Sequence, residues 1–197
     1  MTARTRQILL INGHPDPRPE RFCAALTEAY RRGAQRAGHS VLQVDVGTLD
    51  LPLVASQADF TAPPPPRVVE LQEALKAADH LVLIYPLWLG GPPARLKAFL
   101  EQVFRYGVAL SAPGEAGGLK RLLSGRSARV VVTMGMPGPV FRTVFLAHGL
   151  KSVSRGILWI SGMSPVRETV IGSVEATDPS YRLSWLSRLE RLGARGL

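Results

Sequence analysis

Three stretches of this chain are apolar almost without interruption: "ILLIN" at 8–12, "HLVLIY" at 80–85 and "RVVVT" at 129–133. None shows the polar alternation of a half-exposed strand, so each is predicted to be covered on both faces, as in a parallel sheet. Two further segments, 41–46 and 157–161, have strand character with more polar content. Between them lie stretches with the 3.6-residue period of helices, over 20–37, 67–77, 93–104 and 180–192, with a further helical piece inside 140–154. Gly38 stands where a helix C-cap is expected, and Pro92-Pro93 open the third helical pattern at a position where a missing donor is harmless.

Strand and helix alternate, which implies right-handed crossovers and an α/β three-layer sandwich. Five strands fit the flavodoxin-like order 2-1-3-4-5, a single domain over 1–197 built on a five-stranded parallel sheet. Two connections are long, 47–66 with four consecutive prolines at its end and the glycine-rich 105–125. The prolines read as a stiff spacer into the next helix.

In such a sheet, ligands bind outside the carboxyl ends of the strands where the strand order reverses. The segments leaving the first, third and fourth predicted strands are "NGHPDPRPERF", "YPLWLGGPPARLK" and "TMGMPGP", and they hold the chain's least ordinary residues. The first precedes a helix N-terminus, whose free N–H groups and dipole attract an anion, and His14, Arg18 and Arg21 add donors. Neither a P-loop nor a G-x-G-x-x-G fingerprint is present. The second segment offers Leu87, Trp88 and Leu89 to a flat ring, with Gly90 and Gly91 letting the backbone approach it. The third repeats the theme with Gly135, Met134 and Met136. An anion site at one end and an apolar slot with backbone donors at the other describe a site for FMN, with FAD as the alternative form. No metal site is expected.

Charge changes the picture little. The net charge is +9, from 24 lysines and arginines scattered along the chain, without a basic run or a nucleic-acid signature. Specific nucleic-acid binding is therefore not expected, whereas phosphorylated small molecules and peripheral contact with anionic membranes fit the charge. The single cysteine, Cys23, points to a reducing compartment, and with no leader or membrane span visible, the cytoplasm. At a helix start beside arginines Cys23 is either a packed thiol or a reactive one.

The segments "ILLINGHPDPRPERFCAAL", "LVLIYPLWLGGPPARLKAFLEQVF" and "VVVTMGMPG" resemble the flavodoxin-like NAD(P)H:quinone oxidoreductases, the DT-diaphorase type and its bacterial relatives. That resemblance implies FMN held through its phosphate by His14 and the Arg21, Phe22, Cys23 turn. Pro86, Leu87, Trp88 and Leu89 would line the isoalloxazine, and Thr133, Met134, Gly135 and Met136 its pyrimidine edge. It further implies hydride transfer from NADH or NADPH through the flavin to a quinone or similar acceptor, within a homodimer. Phe141 takes the place of a family tyrosine, and His148 and Arg142 are the candidate cations near the reduced ring. Hydrophobic residues at 108–110 and 141–146 are the expected partner-facing surface. A one-electron flavodoxin carrier, a flavin-binding regulatory subunit of a transporter, and an azo-, nitro- or flavin reductase are the other readings of the same site.

Overall fold

The computed structural model describes residues 5–112, 118–175 and 178–197. Its strands are β1 (Gln7–Asn12), β2 (Ser40–Asp45), β3 (His80–Pro86), β4 (Ser127–Thr133) and β5 (Val166–Ile171). They form one sheet in the order β2-β1-β3-β4-β5, every neighbouring pair parallel. The helices are α1 (Phe22–Arg36), α2 (Gln57–Thr61), α3 (Pro66–Ala77), α4 (Ala94–Val103), α5 (Gly138–Thr143), α6 (His148–Val153) and α7 (Pro179–Ala194).

The central strands are buried because both faces are covered: every residue of β3 and β4 is buried, as is β1 beyond Gln7. On one face Ile8, Leu10, Val82, Ile84 and Val131 pack against Leu26, Tyr30 and Leu189 of α1 and α7. On the other, Leu9, Leu83, Tyr85 and Val132 meet Leu75 of α3, Phe99 of α4 and Leu150 of α6. Alternate residues of each strand thus feed two separate cores.

The fifth strand differs from expectation. Residues 157–161 are not a strand; they fall in a π-helical turn, Ser154–Trp159, and just beyond it. Leu158 reaches the core from that turn while Trp159 and Ile160 stay in solvent. The true β5, "VRETVI", is an edge strand that needs an apolar surface only at alternate positions, so it tolerates Arg167, Glu168 and Thr169 and carries no continuous apolar run.

The first long connection is structured by short-range chemistry. Ser56 caps α2 by accepting the Asp59 N–H, and Gln102 and Arg105 donate to the Pro52 and Ala62 carbonyls at 2.7 and 2.8 Å. Pro65 and Pro66 then open α3. In the second connection, residues 113–117 lie outside those described. Val108 and Ala109, expected to face a partner, are instead buried in the core, because the chain turns back there and Leu122 N–H bonds the Ala109 carbonyl. No helix among the described residues is long and apolar enough to cross a membrane.

Candidate functional site

Three loops leave adjacent strands at the sheet's carboxyl edge, and backbone hydrogen bonds fix their starting points. Gly13 N–H donates to the Ile84 carbonyl at 2.7 Å, Leu87 N–H to Thr133 at 2.8 Å and Met134 N–H to Ile171 at 2.9 Å. The loops therefore rise from one edge, with His14 meeting Trp88 edge-to-face at 5.8 Å between ring centroids.

In the first loop the helix start matches expectation, but the charges do not. Arg21 is the N-cap of α1 and makes no side-chain cap, and the first turn holds no acid. Among the described residues, the N–H groups of Phe22, Cys23 and Ala24 have no acceptor. Such a helix start is a ready anion site. Arg18 and Arg21, however, both donate to the carboxylate of Asp16: Arg18 Nη2 at 2.7 Å and Arg21 Nε at 2.7 Å. Those bonds, led by that from Arg18, hold Asp16 well below the usual carboxylate range. Burial lowers the pKa of His14, whose Nδ1 accepts the Asp16 N–H at 3.0 Å. The loop is thus not a set of three free cations. It is an Arg-Asp-Arg cluster carrying one net positive charge, plus a histidine held towards neutrality. Asn12 completes it by donating to Asp45 at 2.9 Å and accepting from His14 N–H at 3.2 Å.

The second loop is a two-residue reversal. Trp88 and Gly91 exchange both backbone hydrogen bonds at 3.0 Å, and Leu89 and Gly90 between them have φ of +47° and +81°. Positive φ at both central positions is the type I′ turn, where Asn-Gly is the usual choice. Here the first position is a leucine whose side chain is fully exposed, and Trp88 is 49% exposed. A non-glycine residue in that conformation costs of order 1 kcal/mol, and such strain clusters at ligand sites. The turn is held from behind by α6: a Cβ at Gly149 would lie 1.8 Å from the Gly90 carbonyl oxygen. His148, which opens α6 after two residues of positive φ (Leu146 and Ala147), is exposed and adjacent in sequence to that contact.

The third loop presents backbone. Among the described residues the N–H groups of Gly135 and Met136 have no acceptor, while that of Met134 is spent on Ile171. Met134 and Thr133 are buried and Met136 packs on the core. Glu175 stands beside Gly135, its carboxylate oxygen 3.7 Å from where a Cβ would be.

Two of the remaining candidates sit deeper than a ligand-touching role requires. Phe141 is 1% exposed and belongs to the core, whereas Arg142 next to it is exposed. Cys23 is buried with its Sγ 3.5 Å from Thr133 Oγ1, and burial pushes its thiol up to about 11. It is a packing residue that ties the start of α1 to the end of β4, and not a reactive thiol. Cys23→Ser should keep turnover within about twofold, and native protein at pH 8 should resist iodoacetamide; rapid labelling of the folded enzyme would overturn this reading. Sequence reasoning missed Asp16, Asn12, Glu175 and Gly149. Only Asp16 had a local signal, since it lies between His14 and Arg18 in the same loop.

Comparison with known proteins places the fold. Residues 6–189 match the family described as flavodoxin-like fold. An FMN-dependent NADH:quinone oxidoreductase of Opitutus terrae is 34% identical over 100 residues, 46% of this chain and 47% of that protein, so the match spans about half of its length. FMN-dependent NADH:quinone oxidoreductase 8 of Burkholderia lata is 28% identical across 82% of each chain. Among solved structures, an NAD(P)H:quinone oxidoreductase from Methanothermobacter marburgensis superposes with a TM-score of 0.81 and 25% identity, covering 98% of this chain and all of that one.

Proposed function

We start from the family to which this chain belongs, that of the flavodoxin-like fold, and propose that it is an FMN-dependent NAD(P)H oxidoreductase that reduces a quinone or similar small acceptor. The observation that carries this reading is the grouping, at one edge of the sheet, of an uncapped helix start with an exposed tryptophan turn and a run of unpaired N–H groups. The donor set fits FMN end to end. Phe22, Cys23 and Ala24 N–H with Arg18 and Arg21 would hold the phosphate, Trp88 and Leu89 would flank the ring, and Gly135 and Met136 N–H would face its polar edge. When bound, FMN supplies the hydride chemistry; the protein supplies position and charge.

The chain's own residues do the following. The Arg-Asp-Arg cluster and the start of α1 would hold the phosphate, and the Trp88 turn would hold the ring. The buried Leu96 and Tyr85 beneath Gly13 make that floor rigid. Gly135 and Met136 N–H groups would offer donors where negative charge builds on the ring, and His148 and Arg142, exposed on α6 and α5, are the candidate cations. The exposed Val144, Phe145 and Leu146 beside α6 are the surface we assign to a second copy of the chain, and a reducing cytoplasm suits its buried free thiol.

The test is direct. Protein reconstituted with FMN should lose its yellow absorbance on adding NADH or NADPH and regain it on adding a quinone, with parallel lines in double-reciprocal plots. Arg21→Ala should weaken FMN about tenfold or more, the worth of a charge-assisted bond, and leave riboflavin affinity unchanged. Equal losses for both flavins would remove the phosphate from this loop. Failure to bind either flavin would remove the proposal.

A further inference from the structure

The positive charge of the chain is not spread evenly over the molecule. α1 and α7, which together cover one face of the sheet, carry Arg31, Arg32, Arg36, Arg182, Arg188 and Arg191, and Arg195 follows directly. Against these seven arginines stand two acids, Glu28 and Glu190, while the N-caps of the two helices, Arg21 and Asp178, cancel each other. This layer therefore holds five of the nine net positive charges. On the opposite face α3, α4 and α6 carry five basic residues and three acids, and the connection packed beside α4 adds Asp50 and Asp59, so that side is balanced. The sheet gives the first layer no relief, since Arg129 and Arg167 share the register row of Val82, which faces α1 and α7.

Both acids of the layer are already spent. Glu190 accepts from Arg32 at 2.7 Å and from Arg36 at 2.6 Å, and Glu28 accepts from Arg31 at 2.8 Å. Among the described residues Arg182, Arg188, Arg191 and Arg195 have no carboxylate within ion-pair distance, and all four are exposed. Two of them are held to the surface: Arg188 lies over the Trp185 ring at 4.8 Å, and Arg182 Nε donates to the Val174 carbonyl at 2.9 Å. Guanidinium groups anchored in this way lose little freedom on meeting a phosphate, which the planar fork grips through two bonds.

Shape chooses among anionic partners. A duplex groove admits one protruding helix or a ribbon. α1 and α7 instead lie side by side, so close that Gly33 and Gly193 meet the neighbouring helix backbone, and they make a broad face. That face is about 24 Å long from the sixteen residues of α7. Leu183 adds an apolar contact: it is 61% exposed and lies on the same stripe of α7 as Ser187 and Arg191, at four-residue spacing. Arginines around an exposed leucine on a flat helical face fit an interface of acidic headgroups over acyl chains.

We propose that the outer face of α1 and α7 docks on a bilayer rich in anionic phospholipid, with the arginines of α7 on headgroup phosphates and Leu183 at the boundary with the acyl chains. The three loops of the candidate site rise at the carboxyl edge of the sheet, beside this face and not within it, so docking leaves them open. Binding to the bilayer does not depend on what those loops hold.

The purified chain should sediment with vesicles of phosphatidylglycerol and phosphatidylcholine at low salt, and at least about tenfold less with phosphatidylcholine alone. Sodium chloride at about 1 M, where charges are screened within roughly 3 Å, should release it. Near an anionic surface each arginine is worth roughly fivefold in partitioning, so replacing Arg188, Arg191 and Arg195 together by glutamine should cost about 100-fold. A control variant with Arg67→Gln, Lys76→Gln and Lys97→Gln on the balanced face has the same net charge and should stay within about threefold of the parent. Equal binding to both kinds of vesicle, or equal losses in the two triple variants, would overturn the proposal. Should the α7 variant fail to fold, Arg191→Gln alone is expected to lose about fivefold, and unchanged partitioning there would also overturn it. Leu183→Ser should weaken vesicle binding about fivefold or more and leave any binding of duplex DNA unchanged. Duplex DNA bound as tightly as the vesicles, or vesicle binding indifferent to Leu183→Ser, would refute the assignment to lipid.

Discussion

Replacing Gly149 by alanine is expected to lower kcat/KM for NADH about 100-fold, with helix content unchanged by circular dichroism. The added carbon would sit 1.8 Å from the Gly90 carbonyl oxygen, a backbone atom that cannot swing aside. Either α6 or the Trp88–Gly91 turn must move by more than an ångström, and that displacement carries Trp88 and Leu89, the two residues we assign to the ring. Misplacement on that scale is worth about two orders of magnitude in rate. Gly156→Ala serves as a control, because nothing lies within 4 Å of the Cβ it would add. Wild-type kinetics for Gly149→Ala would mean that the turn is not part of the site.

Gly33→Ala should act on stability alone. Its Cβ would lie 2.0 Å from the Glu190 carbonyl oxygen, and one at Gly193 would lie 2.1 Å from that of Tyr30, so the two helices touch backbone to backbone through paired glycines. Forcing them apart should cost about 3 kcal/mol, the upper range for overpacking, or roughly 10 °C in melting temperature for a chain of this size. FMN affinity measured well below the transition should stay within about twofold. A variant as stable as the parent would show that α7 is free to slide along α1.

What the sequence discloses and what it hides follow from the range of the interactions. β1, β3 and β4 are legible because two-sided burial writes itself into every residue of the strand. β5 is not, since an edge strand needs apolar side chains only at alternate positions and "VRETVI" has the look of a surface. The run at 157–161 has the apolar content of a strand, but the π-helical turn uses it to anchor Leu158 while exposing Trp159. At the site, the loops and their glycines could be read from position alone. The Asp16 bridge changes the loop's charge and required weighing an acid against two bases in the same ten residues. The Gly149–Gly90 contact joins residues far apart in the chain and leaves no local trace.

The paired glycines have a consequence during synthesis. Gly33 leaves the ribosome long before Gly193, yet α1 has much of its inward surface covered by α7. Until α7 is made, the nascent chain carries a half-dressed helix whose apolar flank is open to chaperones and to other chains. The end of that helix to which we assign the phosphate would therefore become firm only once α7 has emerged.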